Sequence, residues 1–450
     1  MIEYFSELSS SQIRKLILII VGVSFLLSLS YSFYYRVPLY VDARAYDEIA
    51  QNIAGGLGYR ENSDLTIDQD HSIMRVGPGY EFFLAGVYKI FGHHIEIIWL
   101  LQAIFQAASV WLSFLISRLI FKENWHPLMG VVAALLIAFS PDLILSSAMV
   151  LTETLSIFFM LLTIYVVFRR LDDLSYSNTI LLAFLLGLTF LVRTSLGIMF
   201  VVITVFEILN RRYKHALLFM IVFFLVLTPW TVRNYLHYHT FIPANLAGGI
   251  DILAGNHDGA TGELIELPDY ISKKYAGLNP VDSDRAMIRD TIRFIWTDPL
   301  QFIKLSFFRL SIYFSFARPT GWWFHLQGME QILTVLFSAL YSVILFTLGL
   351  SGIVLSTKIA KNRLTTDNRV ALMWALLFSM PLSIIFIIVE TRYRYPIYPF
   401  LAIFAGYAVY NFYQERRLAG RVIIIMFMAL LANTTFDVLR NIHRIIEKII

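Results

Sequence analysis

The 450-residue chain has no cysteine, which excludes a disulfide framework and any thiolate metal site. Charge is scarce as well: Asp, Glu, Lys and Arg make up 15% of the residues, against about 25% in a soluble domain. With 58% hydrophobic residues and a mean hydropathy of +0.66, most of the surface must face lipid. A large soluble protein with a greasy core is excluded by the uninterrupted apolar runs. The net charge of +4 is small and follows the loops, so no nucleic-acid partner is read from it. What the chain does have is aromatics, 15% of it, which suits belts at a membrane interface.

A span needs about 20 mostly apolar residues. Residues 15–35, 96–117, 128–147, 150–168, 179–195, 196–210, 216–235, 329–356, 370–391, 395–413 and 421–437 qualify, which predicts an all-α polytopic membrane protein with about eleven spans. Two nearly continuous runs, broken at Ser140-Pro141-Asp142 and at Arg193-Thr194-Ser195, are expected to form tight hairpins. Residues 15–27 with Ser28, Ser30 and Ser32 have the outline of a signal peptide, but the embedded remainder favours an uncleaved first span. Three parts follow: 1–235 with a first outer loop at 36–95, a long outer loop at 236–328, and 329–450 ending in a basic surface helix over 437–450.

Orientation comes from the loop cations. Arg118 and Lys122, Arg169 and Arg170, Arg211, Arg212 and Lys214, the Lys358–Arg369 group, and Arg416, Arg417 and Arg421 occupy alternate loops, which places those loops in the cytoplasm. The opposite face receives the two outer loops and the turns near 142–149, 193–195 and 391–394. The 437–450 helix falls on that face too, against its basic character, so its side is left open.

The first outer loop is the richest stretch. Tyr46, Ile49, Ile53 and Leu57 recur at helical spacing among Arg44, Asp47, Glu48 and Gln51, which predicts an amphipathic surface helix ended by Gly55, Gly56 and Gly58. A polar segment follows, then Arg75, Gly77-Pro78-Gly79 and a second, aromatic-rich helix. A polar pocket is expected between the two helices, with Asp47 and Glu48 on the solvated face. Residues 300–324 of the long outer loop, ending in Trp322 and Trp323, predict an interfacial aromatic helix.

Arg75, Arg193, Arg233, Arg392 and Arg394 lie on the outer side, against the positive-inside bias. Guanidinium suits bidentate phosphate binding, so the five together read as an anion site; singly, each could instead snorkel to headgroups. Asp42 and Glu153 stand at outer span ends, where a carboxylate also serves a helix N-terminus. Glycines 248, 249, 255, 259 and 262 permit close backbone approach to a ligand or simply make turns. Asp251, His257 and Asp258 read as a solvent-facing turn rather than a metal site, and His71, His93, His94 and His325 likewise. No metal motif is found; a divalent metal is possible but not indicated.

In order and spacing, these residues resemble the GT-C glycosyltransferases. Asp42 with Tyr46, Gly58-Tyr59, Arg75-x-x-Pro78-Gly79-Tyr80, Phe91-Gly92, Ser140-Pro141 and Glu153 carry the likeness. So do Pro229-Trp230-Thr231-x-Arg233-Asn234-Tyr235, Gly255-Asn256 with Thr261-Gly262, and Arg392-Tyr393-Arg394-Tyr395-Pro396 with Pro399. The branch it looks like is that of bacterial protein O-mannosyltransferases and lipid A aminoarabinose transferases. The resemblance implies a GT-C fold with surface helices in both outer loops and an active site on the periplasmic face of a bacterial inner membrane. It implies a polyprenyl-phosphate sugar as donor and a hydroxyl acceptor on protein, lipid or glycan. Asp42 would be the base, with Glu153 and Tyr46 positioning the acceptor. Arg75, Tyr80, Arg193, Arg233, Arg392 and Arg394 would bind the lipid phosphate, and Asn234 and Asn256 would touch substrate. Asp42 is followed by Ala43 where the mannosyltransferases carry a Glu, which leaves the acceptor open. A lipid-linked-saccharide transporter, or a polymerase or ligase using such donors, is the competing reading; transporters place their polar groups at the bilayer midplane, and here they gather at one face.

Overall fold

The computed structural model describes residues 2–263, 267–317, 325–362 and 368–442. A short α1 (Ile2–Glu7) precedes α2 (Ser10–Tyr35), which starts at a capping box: Ser9 Oγ accepts from the Gln12 N–H and the Gln12 side chain accepts from the Ser9 N–H. The buried face of α2 is Ile17, Ile20, Ser24, Ser28 and Ser32, while Leu18, Ile19 and Leu26 point outward. Small residues on the inner face let neighbouring helices approach closely in lipid, where the hydrophobic effect does not drive helix association.

Two surface helices follow, α3 (Asp42–Ala54) and α4 (Pro78–Phe91). The bundle continues with α5 (Ile95–Phe121), α6 (Pro127–Ala138), α7 (Pro141–Ala148), α8 (Thr152–Arg170), α9 (Tyr176–Val192), α10 (Ile198–Leu209) and α11 (Tyr213–Tyr238). The long outer loop folds into α12 (Ala247–Gly255), α13 (Asp269–Tyr275), α14 (Pro280–Thr297) and α15 (Pro299–Phe314). The first three of these pack around a small core of Leu253, Ile271, Tyr275 and Met287, while α15 buries Ile312 and Tyr313 in the main core. Then come α16 (Gly328–Asn362), α17 (Arg369–Ile384), α18 (Tyr398–Gln414) and α19 (Arg416–Arg440). Helix α5 is packed among α2, α6 and α8; α18 lies between α16 and α6.

Every expected apolar segment is helical. Six helices among the described residues, α2, α5, α8, α11, α16 and α19, are long and apolar enough to cross a membrane, and the bent α6–α7 pair makes a seventh if it is one span. The chain is a multi-pass membrane protein. Helices α9, α10, α17 and α18 run 17, 12, 16 and 17 residues, so length alone does not carry the count to eleven.

The break at Ser140-Pro141-Asp142 is a bend and not a hairpin. Ser140 caps α7 and Pro141 opens it, which restarts a helix after a 50° bend, and the chain passes into α8 only at Met149–Leu151. At Arg193 the backbone is extended and a 3-10 turn follows; α9 then packs on α8 and α11, and α10 on α11 and α17. The basic surface helix survives only as the end of α19, since residues 443–450 lie outside the described residues, as do Trp322 and Trp323.

The basic loops gather at one end of the bundle. There Arg369 donates to Asp172 at 2.7 Å and to the Leu119 carbonyl at 3.1 Å, and Lys122 pairs with Asp172 at 2.8 Å. Arg170 is not a loop cation but a buried one, bidentate to Glu207 at 2.7 and 3.1 Å. Removing one member of such a pair leaves an unpaired buried charge, at a cost of about 3–5 kcal/mol, whereas replacing both with apolar residues is often neutral. Arg170→Ala should therefore lower the melting temperature in detergent strongly, and Arg170→Met combined with Glu207→Leu should restore most of it. A double variant no more stable than the single one would contradict this account.

Candidate functional site

The site is assembled by the way α4 is seated. Gly77 and Gly79 lie against the end of α9: a methyl group on Gly77 would stand 2.5 Å from the Leu191 carbonyl oxygen, and one on Gly79 2.8 Å from Leu191 and Val192 backbone atoms. Only glycine permits that approach, and it sets Arg75, just before α4, near Arg193, just after α9. Helix α3 packs along α4 through Ala43, Tyr46 and Ala50, a helical stripe that fixes which way Asp42 faces. Val41, at φ 43°, leads into it. A β-branched residue in that region is strained, and strain of this kind persists only where the surrounding structure enforces it.

Asp42 opens α3 between two arginines. Its Oδ2 accepts from Arg392 at 2.8 Å, and its Oδ1 lies 3.6 Å from Arg75. Arg75 forks onto Glu61 at 2.7–3.0 Å. Arg392 donates to Glu390 at 2.7 Å and lies 3.9 Å from Glu153, which accepts from Arg193 at 2.9 Å. The result is an alternating chain of carboxylates and guanidiniums at the end of the bundle opposite the basic loops. Burial opposes the Arg392 charge, but Glu390, Glu153 and Asp42 outweigh it and hold the guanidinium well above its ordinary range. Arg193 also lies over the Tyr393 ring, 5.6 Å from its centroid.

Of the residues expected from sequence, the structure brings Asp42, Arg75, Glu153, Arg193 and Arg392 together. Tyr46 and Tyr80 are fully buried behind them, edge to face at 5.8 Å, with Tyr80 donating to Gln102 at 2.9 Å. Arg394 points the other way: it is buried in the interior and donates to Tyr398 at 3.1 Å and to the Ser315 carbonyl at 2.8 Å. Arg233 lies among Tyr59, Trp230 and Tyr238 and ties α11 to the first loop through the Tyr59 carbonyl. Asn234 holds the Ile242 carbonyl. Asn256 bridges Ile252 and Phe386 carbonyls and accepts from Arg309. Among the described residues, Arg394, Arg233, Asn234 and Asn256 contact other groups than the Asp42 chain.

Sequence reasoning missed Glu61, Glu390, Tyr393 and Asp251. Glu390 stands two residues before Arg392, a spacing that could have been noticed. Asp251 was read as part of a solvent-facing turn; it is half-buried and lines a cavity, and His257 is buried beside it in sequence. Asp47 was assigned to the solvated face, yet α4 covers it, and it accepts from Tyr88 at 2.6 Å and lies 2.9 Å from His93 Nε2. His325 is likewise held, 2.8 Å from the Tyr31 hydroxyl. Among the described residues no group of three or more His, Asp or Glu side chains is arranged to hold a metal ion.

A family model described as "Dolichyl-phosphate-mannose-protein mannosyltransferase" matches residues 71–232, the stretch that holds Arg75, Glu153 and Arg193. No curated protein matches by sequence. Among solved structures, ArnT from Cupriavidus metallidurans bound to undecaprenyl phosphate aligns over 93% of this chain and 63% of its own, at 14% identity and a TM-score of 0.51. The Archaeoglobus fulgidus oligosaccharyltransferase tethered to an acceptor peptide aligns over 95% of this chain and 54% of its own, at 12% identity and a TM-score of 0.52. The chain thus spans less than two thirds of either protein, and the likeness is one of fold.

Beneath α3, Glu81 of α4 is fully buried; one oxygen accepts from Tyr59 at 3.2 Å and the other has no hydrogen-bond partner among the described residues. Burial pushes its carboxyl up to about 8. A carboxyl raised in the fold favours the folded state at low pH, and that advantage is lost as pH rises from its unfolded value, about 4.3, through the folded one. Glu81→Gln should match the wild-type melting temperature near pH 5 and exceed it by pH 8.5. A difference that does not change with pH would show that Glu81 is ionised in the fold.

Proposed function

We propose that this chain, which has the fold of the GT-C superfamily, is a membrane glycosyltransferase that moves a sugar from a polyprenyl-phosphate carrier to a hydroxyl acceptor. The reaction takes place at the outer, periplasmic face of a bacterial inner membrane, with inversion. The observation that carries this reading is the Asp42 carboxylate held between Arg392 and Arg75 at the end of the bundle away from the basic loops. The neighbour solved with undecaprenyl phosphate supports a lipid phosphate as donor. The acceptor is left as protein, lipid or glycan.

The donor phosphate takes guanidinium hydrogen bonds that Asp42 and Glu61 hold in its absence, since both kinds of oxyanion fit the same fork. Released from Arg392, Asp42 accepts a hydrogen bond from the acceptor hydroxyl. The acceptor oxygen attacks the anomeric carbon, the bond from that carbon to the phosphate oxygen breaks, and its electron pair leaves on the phosphate, where the arginines neutralise it. Asp42 takes the hydroxyl proton as the new bond forms. One displacement with no covalent intermediate inverts the anomeric centre, by the logic that governs inverting glycosidases.

The test is release of polyprenyl phosphate from purified protein given a panel of polyprenyl-phosphate sugars. Asp42→Asn should abolish transfer while donor binding survives, and full activity in that variant would remove Asp42 as base. Loss of a charged hydrogen bond costs about 1.5–3 kcal/mol, so Arg392→Ala should raise the donor KM by roughly 10- to 100-fold. A donor KM unchanged in Arg392→Ala would place the phosphate elsewhere.

A further inference from the structure

One carboxyl at the site takes no part in the ion chain. Asp251, on α12, makes no hydrogen bond or ion pair among the described residues, while Asp42, Glu61, Glu153 and Glu390 each hold an arginine. A carboxyl drawn partly out of water without a protein partner costs stability, a cost that hydroxyl donors from a ligand would offset.

Asp251 borders a cavity of about 80 Å³ that also meets Arg193, Thr194, Ser195 and Tyr393. Ile384, at the end of α17, with Ile387 and Ile388 just beyond it, gives the lining an apolar part. Such a lining suits a pyranose, whose C–H faces are apolar and whose rim carries hydroxyls. At ~10–15 Å³ per water position, the space holds on the order of six waters, the room of one sugar ring rather than two. Arg193 and Tyr393 belong to both places: Arg193 pairs with Glu153 in the ion chain, and Tyr393 adjoins Arg392. A phosphate on Arg392 would therefore carry its glycosyl group at the mouth of this cavity.

We propose that the cavity receives the glycosyl group of the lipid-linked donor and that Asp251 accepts hydrogen bonds from its ring hydroxyls, which makes Asp251 the residue that discriminates between sugars. The inference rests on the lipid-phosphate donor reading given above. Burial, with Asp42 and Glu390 nearby and opposed by Arg392 and Arg193, pushes the Asp251 carboxyl up to about 7, and hydroxyls donating to it would favour the ionised form against protonation. A site built to hydrogen-bond a hydroxyl rejects an analogue that lacks it far more strongly than an apolar pocket could.

The experiment measures binding to the full chain in detergent. The probes are undecaprenyl phosphate alone and undecaprenyl phosphate carrying one mannose, glucose or N-acetylglucosamine. In wild type, at least one glycosylated lipid should bind more tightly than the bare lipid. Asp251→Asn, close in shape, should keep the bare-lipid affinity and lose about tenfold or more on the preferred glycosylated lipid, as expected for a charged hydrogen bond. Melting temperature and elution volume confirm that the variant is folded. An undiminished sugar preference in Asp251→Asn overturns the proposal, as does an equal loss for both lipids, which would show that Asp251 acts through the phosphate site. A wild type that prefers none of the three sugars also counts against it. Failure of wild type to bind even bare undecaprenyl phosphate would instead sink the donor reading, and this proposal with it.

Discussion

The Asp42–Arg392 ion pair joins residues 350 positions apart, and the outer face is organised by it. One partner opens a surface helix after the first span; the other sits in the turn before the penultimate helix. The pair is largely shielded from water, with side-chain exposures of 18% and 10%, so the cost of desolvating two charges offsets much of their attraction and its net worth to stability is modest. Its value is positional. It requires α3 to be docked on α4 and α4 on α9, and it requires the Thr391–Ile397 turn to present Arg392 outward.

That turn divides its two arginines. In a 3-10 helix with three residues per turn, positions two apart point in different directions, and Arg392 and Arg394 do so. Arg392 joins the carboxylates outside. Arg394 goes inside, to Tyr398, whose hydroxyl donates to Asp142 at 2.7 Å, while Ser338 donates to the other Asp142 oxygen. The inner network ties α7, α16 and α18 together directly beneath the outer one. The same short motif thus supplies a member of the ion chain and the anchor that orients it.

Much of this was legible in the sequence. Apolar runs gave the helices, because lipid leaves a chain few options other than helix. Outer-face arginines and acids at span ends gave five members of the ion chain, since charge at such a boundary requires a reason. What stayed hidden depended on tertiary packing. Asp47 has the pattern of an exposed helix face, and only the docking of α4 buries it. Asp251 has the surroundings of a loop, and only the approach of α17 encloses it. Ser140-Pro141 and Arg193-Thr194 mark breaks correctly, but a break does not say whether the chain bends or reverses. Arg233 and Arg394 looked like partners of Arg392 because charge type can be read from sequence and direction cannot.

If the donor is the lipid phosphate proposed above, the ion chain also sets how that lipid arrives. Its four carboxylates outnumber its three guanidiniums, so no surplus positive field extends into the surroundings to pull a phosphate in from a distance. Capture must proceed by swapping partners at close range, after the carrier has drifted to the rim within the plane of the bilayer. Such an exchange is largely indifferent to ionic strength, because it happens inside one Debye length. A headgroup that merely passes by gains nothing, and only one able to replace a carboxylate oxygen for oxygen is retained.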